Sequence, residues 1–520
     1  MSKKFKLYKN KIYILFLFLF SIIINQYYGN LGVFPMDSFH FFDSGYRVLN
    51  GEVPFIDYWL VKGPLLDYIQ ATFFYLFGVN WQAYVFHASI FNATITISTF
   101  FVLKNFKLKT DYCFLYSLLL SILAYPSSGT PFIDHHSSFF SLLAIYSLLL
   151  AIRNKNLYHW ILAPVFFGLA FLSKQVPAAY IILTSSLVLL LYFYLCRKIE
   201  YIRYLLIGTF LFIFIILLFG KLNNITVGSF LDQFIFFPQT IGLSRYSNLN
   251  FSPRIAEKFI YILISISLLF YINIKNIFIN KNYKKNNDFF FFLILFFFLI
   301  SLVLHQLLTK NQTFIFFLIP IFTAFSHISI EKNNLKNKKI IFYILIFCCL
   351  FSTYKYHLRY NEGRKFHELK NVNFNLSVDA KKIDQKLMGL KWITPQYSDN
   401  PQDEINFINS TTFILRKDKS KKMLITNYPF FSTILGYSIF SPSRVYTGDG
   451  TTHPLKNNKY SKVYEKLMKD IISKNDIKVI YVISSKDGIN FHYINMYKHC
   501  YNEINLNARL RKYDLTNCSK

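Results

Sequence analysis

The feature that most constrains this 520-residue chain is the recurrence of apolar runs about 20 residues long. A helix of that length crosses a bilayer's hydrocarbon core and satisfies its own backbone polar groups there. The runs lie near 12–28, 81–103, 112–126, 137–152, 157–172, 177–196, 203–219, 257–275, 288–309, 314–330 and 339–353, which makes eleven expected spans. Only 16% of residues are charged against 53% hydrophobic, a balance that excludes intrinsic disorder and argues against a wholly soluble protein. The expected fold class is mainly α: a polytopic membrane protein with a small C-terminal α/β domain.

Charge tests the topology. The chain carries 57 Lys and Arg against 27 Asp and Glu, a net +30. Such an excess could suggest nucleic acid, but it gathers in short loops between apolar runs. With the N-terminus in the cytoplasm, the cytoplasmic loops hold 21 Lys and Arg, and the opposite loops, which are longer in total, hold 7. This is the positive-inside asymmetry, and it implies an integral protein of a cell membrane, bacterial inner membrane being the expectation. The chain is also rich in Lys, Asn, Ile and Phe, the bias an AT-rich genome produces, so part of the charge excess is codon bias. The first run lacks a convincing small-residue cleavage site and reads as an uncleaved helix.

An odd number of spans places the polar tail outside the cytoplasm. The division is therefore a transmembrane domain, 1–353, and an extracytoplasmic α/β domain, 354–520. In the tail, Lys422–Thr426 and Ile477–Ser484 read as strands and Tyr460–Lys474 as a helix between them, with no nucleotide fingerprint or P-loop. The six cysteines, at 113, 196, 348, 349, 500 and 518, show no metal spacing; Cys500 and Cys518 are free to pair only if the tail is extracytoplasmic.

The first external loop carries the most chemistry. Residues 38–49 form an amphipathic helical pattern, with Phe39, Phe42, Tyr46 and Leu49 on one stripe and His40, Asp43 and Arg47 on another. Asp37 stands just ahead of it, in N-cap position. A second amphipathic stretch runs from Pro64 to Phe77, and both suit the membrane interface. Elsewhere Phe132-Ile-Asp-His-His puts a carboxylate and two histidines at the mouth of a span, where they are costly unless they serve a cavity. Asp134 and His135 are the candidates there, since adjacent side chains diverge and only one histidine can face the site. Lys174 and Gln175 join two spans on the side assigned to Asp37, against the positive-inside trend. Loop 220–256 holds an aromatic helical stretch followed by Arg245 and Arg254, suited to gating a lipid's access. His305 and Gln306, late in an outward-going span, are placed to line the cavity, with a satisfied buried histidine as the favoured reading of His305.

The order of motifs in the first loop resembles that of a known family. An acidic residue and a helix are followed by Gly51-Glu-Val-Pro-Phe-Ile-Asp-Tyr58, then Lys62-Gly-Pro-Leu65, then Leu76-Phe-Gly78. This is similar to the GT-C superfamily of integral-membrane glycosyltransferases, in particular the bacterial aminoarabinose transferase and protein mannosyltransferase-like group. The likeness is strongest over 30–180, and Gly63 replaces the first Pro of the family's Lys-Pro-Pro.

The resemblance implies an enzyme that moves a sugar from a polyprenyl-phosphate carrier to an envelope glycan, a lipid such as the lipid A of lipopolysaccharide, or a protein, by inverting displacement. Asp37 then matches the family's general base, with an ordinary helix cap as the alternative. Asp43 becomes an acceptor or metal contact, or a solvated helix face. Asp57 matches the pattern, and a loop turn explains it equally well. Lys62 meets the carrier phosphate or snorkels at the membrane surface, and Lys174 and Gln175 meet the same phosphate. Asp134 shares a divalent cation (Mg or Mn) with Asp37, contacts sugar or acceptor, or caps its helix. The partners implied are a polyprenyl-phosphate-linked sugar, the envelope acceptor and the membrane, with no nucleic acid and no certain cofactor. A transporter or flippase of lipid-linked glycans is the alternative class, though its paired broken spans and midplane charges are not evident; a noncatalytic scaffold is a third.

Overall fold

The computed structural model describes residues 3–247, 255–280, 287–309, 315–333, 335, 337–484, 489 and 491–518. Arg254 and the 310–313 loop lie outside the described residues.

Each of the eleven apolar runs carries a helix. Seven helices among the described residues are long and apolar enough to cross a membrane: Tyr8–Gly29, Trp81–Asn105, Ile133–Asn154, Gln175–Cys196, Ile199–Leu222, Asn287–Thr309 and Lys338–Glu362. The other four are Thr110–Leu123, Leu157–Ser173, Leu318–Lys332 and Ile255–Asn280, the last with its apolar part at Phe259–Lys275. Ile202–Leu222 turns Phe210, Phe214 and Leu217 outward, as a lipid-facing helix would.

The tail follows the sequence pattern and adds to it. Lys422–Thr426 pairs in parallel with Val479–Ile483, and Ser461–Lys474 lies between them in the chain. Leu510–Asp514 and Asn502–Asn507 extend the sheet antiparallel, in the order 422–426, 479–483, 510–514, 502–507. Cys500 and Cys518 are joined in a disulfide.

Tail and first loop share their hydrophobic cores. Phe39, Phe42, Trp81 and Tyr84 pack in one cluster with Trp392, Ile405, Tyr428 and Phe430, and Trp59, Val61 and Phe237 pack in another with Met423, Tyr446 and Tyr464. Backbone pairing joins them as well: Gly32 N–H donates to the Lys391 carbonyl at 3.0 Å and Val33 N–H to Ile393 at 3.0 Å. Arg364 lies buried where the first span ends. Its guanidinium donates to the carbonyls of Leu31 at 3.0 Å, Pro126 at 2.8 Å and Ser128 at 3.0 Å, a use of its fork of donors. Beside it the backbones of Gly29 and Gly129 touch; a Cβ on Gly129, whose φ is +73°, would stand 2.5 Å from the Gly29 Cα. These contacts fix the direction in which the chain leaves the first span and enters the loop.

Candidate active site

Pro35 opens a single helical turn, Pro35–Ser38, and Phe39 separates it from the helix His40–Leu49. Phe39 breaks the helix because its ring is held between Trp81 and Phe430, each 4.8 Å away between centroids. Asp37 therefore lies inside the short turn and is not an N-cap, since Phe39 takes that position. Its neighbours are pinned. His367 Nε2 donates to the Ser128 carbonyl at 2.8 Å, which leaves Nδ1 to accept from Ser38 Oγ at 3.2 Å; that hydroxyl in turn accepts from Phe34 N–H at 3.0 Å. The half-buried Asp37 carboxylate accepts no hydrogen bond from a side chain among the described residues. Burial pushes it up to about 6, while Lys62 opposes the rise and Asp134 and Glu368 add to it.

Lys62 sits at the turn before the helix Pro64–Phe77. It enters no ion pair among the described residues, and burial brings its ammonium down to about 8, with Lys174 acting in the same direction and Asp134 and Asp37 against it. Lys174 caps the C-terminus of Leu157–Ser173 and holds Asp134 Oδ1 at 2.5 Å. His305 Nε2 reaches the same oxygen at 2.9 Å. Lys62, Lys174, Gln175, Arg245 and His305 line one cavity of about 140 Å³. Four of the predicted site residues thus share a cavity, and Asp37 and Asp134 lie in its electrostatic field.

The remaining predicted residues are placed differently. Asp43 faces the tail: Thr433 Oγ1 approaches its Oδ1 at 3.5 Å, and its charged neighbours are Arg47 and Glu52, not Lys62. The short tail helix Phe431–Leu435 decides which face of His40–Leu49 is covered, so Asp43 is withdrawn from the cavity that Lys62 lines. His135 stacks on Tyr125, centroids 5.0 Å apart, and bonds Ser127 Oγ at 3.1 Å, which directs it into packing. Gln175, though it lines the cavity, spends its amide N–H groups on the carbonyls of Val61 at 2.7 Å and Phe234 at 2.5 Å, tying three loops together. Asp57 accepts from Val53 N–H at 2.8 Å, as a loop turn requires.

A cation shared by Asp37 and Asp134 does not fit this donor set. The ammonium of Lys174 already stands on Asp134, and no cluster of three or more His, Cys, Asp or Glu side chains able to hold a metal occurs among the described residues. What sequence reasoning missed is a second charge cluster. Arg444, from the tail, pairs with Asp67 and donates to the Lys62 carbonyl at 2.8 Å. Asp67 also accepts from Ser44 at 2.6 Å and Tyr58 at 2.8 Å. Arg444 thus braces the backbone that carries Lys62. No local pattern announces it, because Asp67 lies 377 positions away.

The family model described as dolichyl-phosphate-mannose-protein mannosyltransferase matches residues 61–219, a stretch that holds Lys62, Asp134 and Lys174 but begins after Asp37. No curated protein matches the sequence. Among solved structures the chain is similar to ArnT from Cupriavidus metallidurans bound to undecaprenyl phosphate, with 10% identity, 98% of each chain covered and a TM-score of 0.51. The apo form of the same protein gives 10% identity, 97% and 98% coverage and a TM-score of 0.51. The match over the middle of the transmembrane region and the chain-long likeness of fold agree with the loop motifs: this chain is a polytopic membrane protein with an ArnT-like fold, and it resembles the GT-C membrane glycosyltransferases.

Proposed function

We propose that the protein transfers a sugar from a polyprenyl-phosphate carrier to an acceptor hydroxyl at its extracytoplasmic face. The observation that carries this reading is the juxtaposition of Asp37, a carboxylate without a hydrogen-bond donor among the described side chains, with a cavity lined by Lys62, Lys174 and Arg245. A base and a phosphate-holding end are the two things such a displacement needs. The likeness to a protein crystallised with undecaprenyl phosphate supports the carrier class.

In the step, Asp37 accepts the proton of the acceptor hydroxyl as its oxygen attacks the anomeric carbon. The new glycosidic C–O bond forms as the bond from that carbon to the phosphate oxygen breaks, with inversion. The carrier phosphate leaves with the electron pair, and Lys62 and Lys174 neutralise the charge it gains. Lys174 has three donors, and Asp134 with His305 holds it in place while leaving donors for the phosphate. Asp134 is therefore a positioning residue.

The orientation follows the loop charges: N-terminus inside, residues 354–520 outside. A disulfide between Cys500 and Cys518 suits an oxidising compartment. Reporter fusions near residues 280 and 400 should report opposite sides.

The test of function is transfer by the purified full chain in nanodiscs, supplied in parallel with undecaprenyl-phosphate-linked sugars and with nucleotide sugars. Release of undecaprenyl phosphate together with a glycosylated product is expected. Direct use of nucleotide sugars would contradict the reading.

A further inference from the structure

A second cavity, of about 370 Å³, opens between the first loop and the tail, within the size range of ligand pockets, roughly 300–1,000 Å³. Its wall on the loop side is Phe34, Pro35 and Met36, the residues that lead into Asp37. Its wall on the tail side includes Asn427, Tyr428, Tyr446 and Gly448. The loop carrying Tyr446 and Gly448 runs on to Thr451, which lines the cationic cavity, so one stretch of tail borders both.

The two cavities differ in charge. The cationic one presents Lys62, Lys174 and Arg245. Among the described residues lining the larger one there is no Lys, Arg or His, and the one carboxylate is Glu404. Glu404 is buried and braced: it accepts from Trp392 Nε1 at 2.9 Å, Thr394 Oγ1 at 2.7 Å and Tyr428 Oη at 2.8 Å. Asn427 Oδ1 accepts from Tyr446 N–H at 2.9 Å. Tyrosine rings fixed by their hydroxyl or backbone bonds, beside amide and hydroxyl groups and an acidic side chain, suit the C–H faces and hydroxyls of a sugar. They suit a phosphate less, since it would meet the Glu404 carboxylate; Arg509, whose charge acts on Glu404 and Tyr428, is not among the described lining residues.

We infer that this cavity is the acceptor site and that it takes a neutral, hydroxyl-rich glycan in preference to a phosphorylated headgroup, with the reacting hydroxyl presented towards Asp37. The inference rests on the transferase reading above and narrows its acceptor.

The cavity can be filled without touching the cationic one. A Cβ at Gly448 meets no atom within 4 Å, so Gly448→Trp projects a ring into open space. The experiment is saturation-transfer NMR on the full chain in nanodiscs with methyl glycosides of glucose, galactose and N-acetylglucosamine, and with methyl glucoside 6-phosphate. Undecaprenyl phosphate binding is measured separately on the same samples. Neutral glycosides should bind the wild type and weaken at least about tenfold in Gly448→Trp, the usual scale for lost pocket contacts, with undecaprenyl phosphate binding retained. Preference for the phosphorylated glycoside, no glycoside binding, or unchanged binding in Gly448→Trp overturns the inference. If the wild type fails to bind undecaprenyl phosphate while the glycoside result holds, the carrier reading falls and the cavity assignment stands. Should Gly448→Trp not fold, Gln396→Trp, on another part of the lining, is read by the same criteria.

Discussion

Two clusters of like composition, each built from carboxylates and cations, meet at the first external loop, and they are arranged in opposite ways. In the cluster under the tail, Arg47 pairs with Glu52 at 2.6 Å and Arg444 pairs with Asp67, all four side chains buried. Asp67 gathers three donors, from Arg444, Ser44 and Tyr58. In the cluster at the cavity, Asp134 is paired with Lys174, but Asp37 and Lys62 are held near each other without a dedicated partner. The first arrangement spends its charge on joining the tail to the loop. The second leaves a base and an ammonium available to a ligand, and burial moves the proton affinities of both towards neutrality.

That contrast can be broken by stability. Asp67→Ala leaves the Arg444 guanidinium buried without its counter-charge, and a loss of about 3–5 kcal/mol is expected from such breakage. Asp37→Ala removes a carboxylate that burial already disfavours and should cost far less. Thermal unfolding of both variants in the same detergent checks the ranking; equal losses would show that Asp37 is as structural as Asp67.

The next effect is on the carrier. Lys62→Met should weaken undecaprenyl phosphate binding about 10–100-fold, the scale of one lost charged hydrogen bond. Lys62→Arg should keep part of it, because the phosphate needs charge first. Binding that survives Lys62→Met would move the phosphate to Lys174 and Arg245 alone.

The smallest effect is in pH. An ordinary aspartate stays ionised down to about 4, whereas Asp37, raised to about 6, gains its proton sooner as pH falls. kcat/KM should therefore drop about tenfold per pH unit below about 6. Above about 8 Lys62 loses its proton, and a second, alkaline limb should follow. Lys62→Arg should abolish that limb and leave the acid one. A flat profile between pH 5 and 7 would remove Asp37 as the base.

How much of this the sequence discloses differs between the same two regions. The spans are legible because bilayer thickness sets a length and a composition that any stretch must meet on its own. The strands Lys422–Thr426 and Val479–Ile483 and the helix Ser461–Lys474 are legible because their burial imposes period or continuity. Asn502–Asn507 is not, since all six residues are exposed and no pattern marks them. Lys62, Asp134 and Lys174 are singled out by motifs that stay within short windows. The link from His305 to Asp134 joins positions 171 apart, and Arg444 is placed only by docking of the tail. Asp43 shows the limit most clearly. Helical spacing groups it with His40 and Arg47, but spacing cannot say which neighbour will cover that face, and Phe431–Leu435 does so.

The most direct test of the account separates binding from transfer at one residue. Asp37→Asn keeps the shape of the side chain and removes its basicity. In nanodiscs, this variant should bind undecaprenyl phosphate at least as well as the wild type, since a negative charge near Lys62 is gone. Its transfer rate should fall about 10²–10⁴-fold, the usual contribution of a general base. Transfer that persists at the wild-type rate, or carrier binding that disappears together with transfer, would contradict the assignment of Asp37 as the base beside a phosphate-holding cavity.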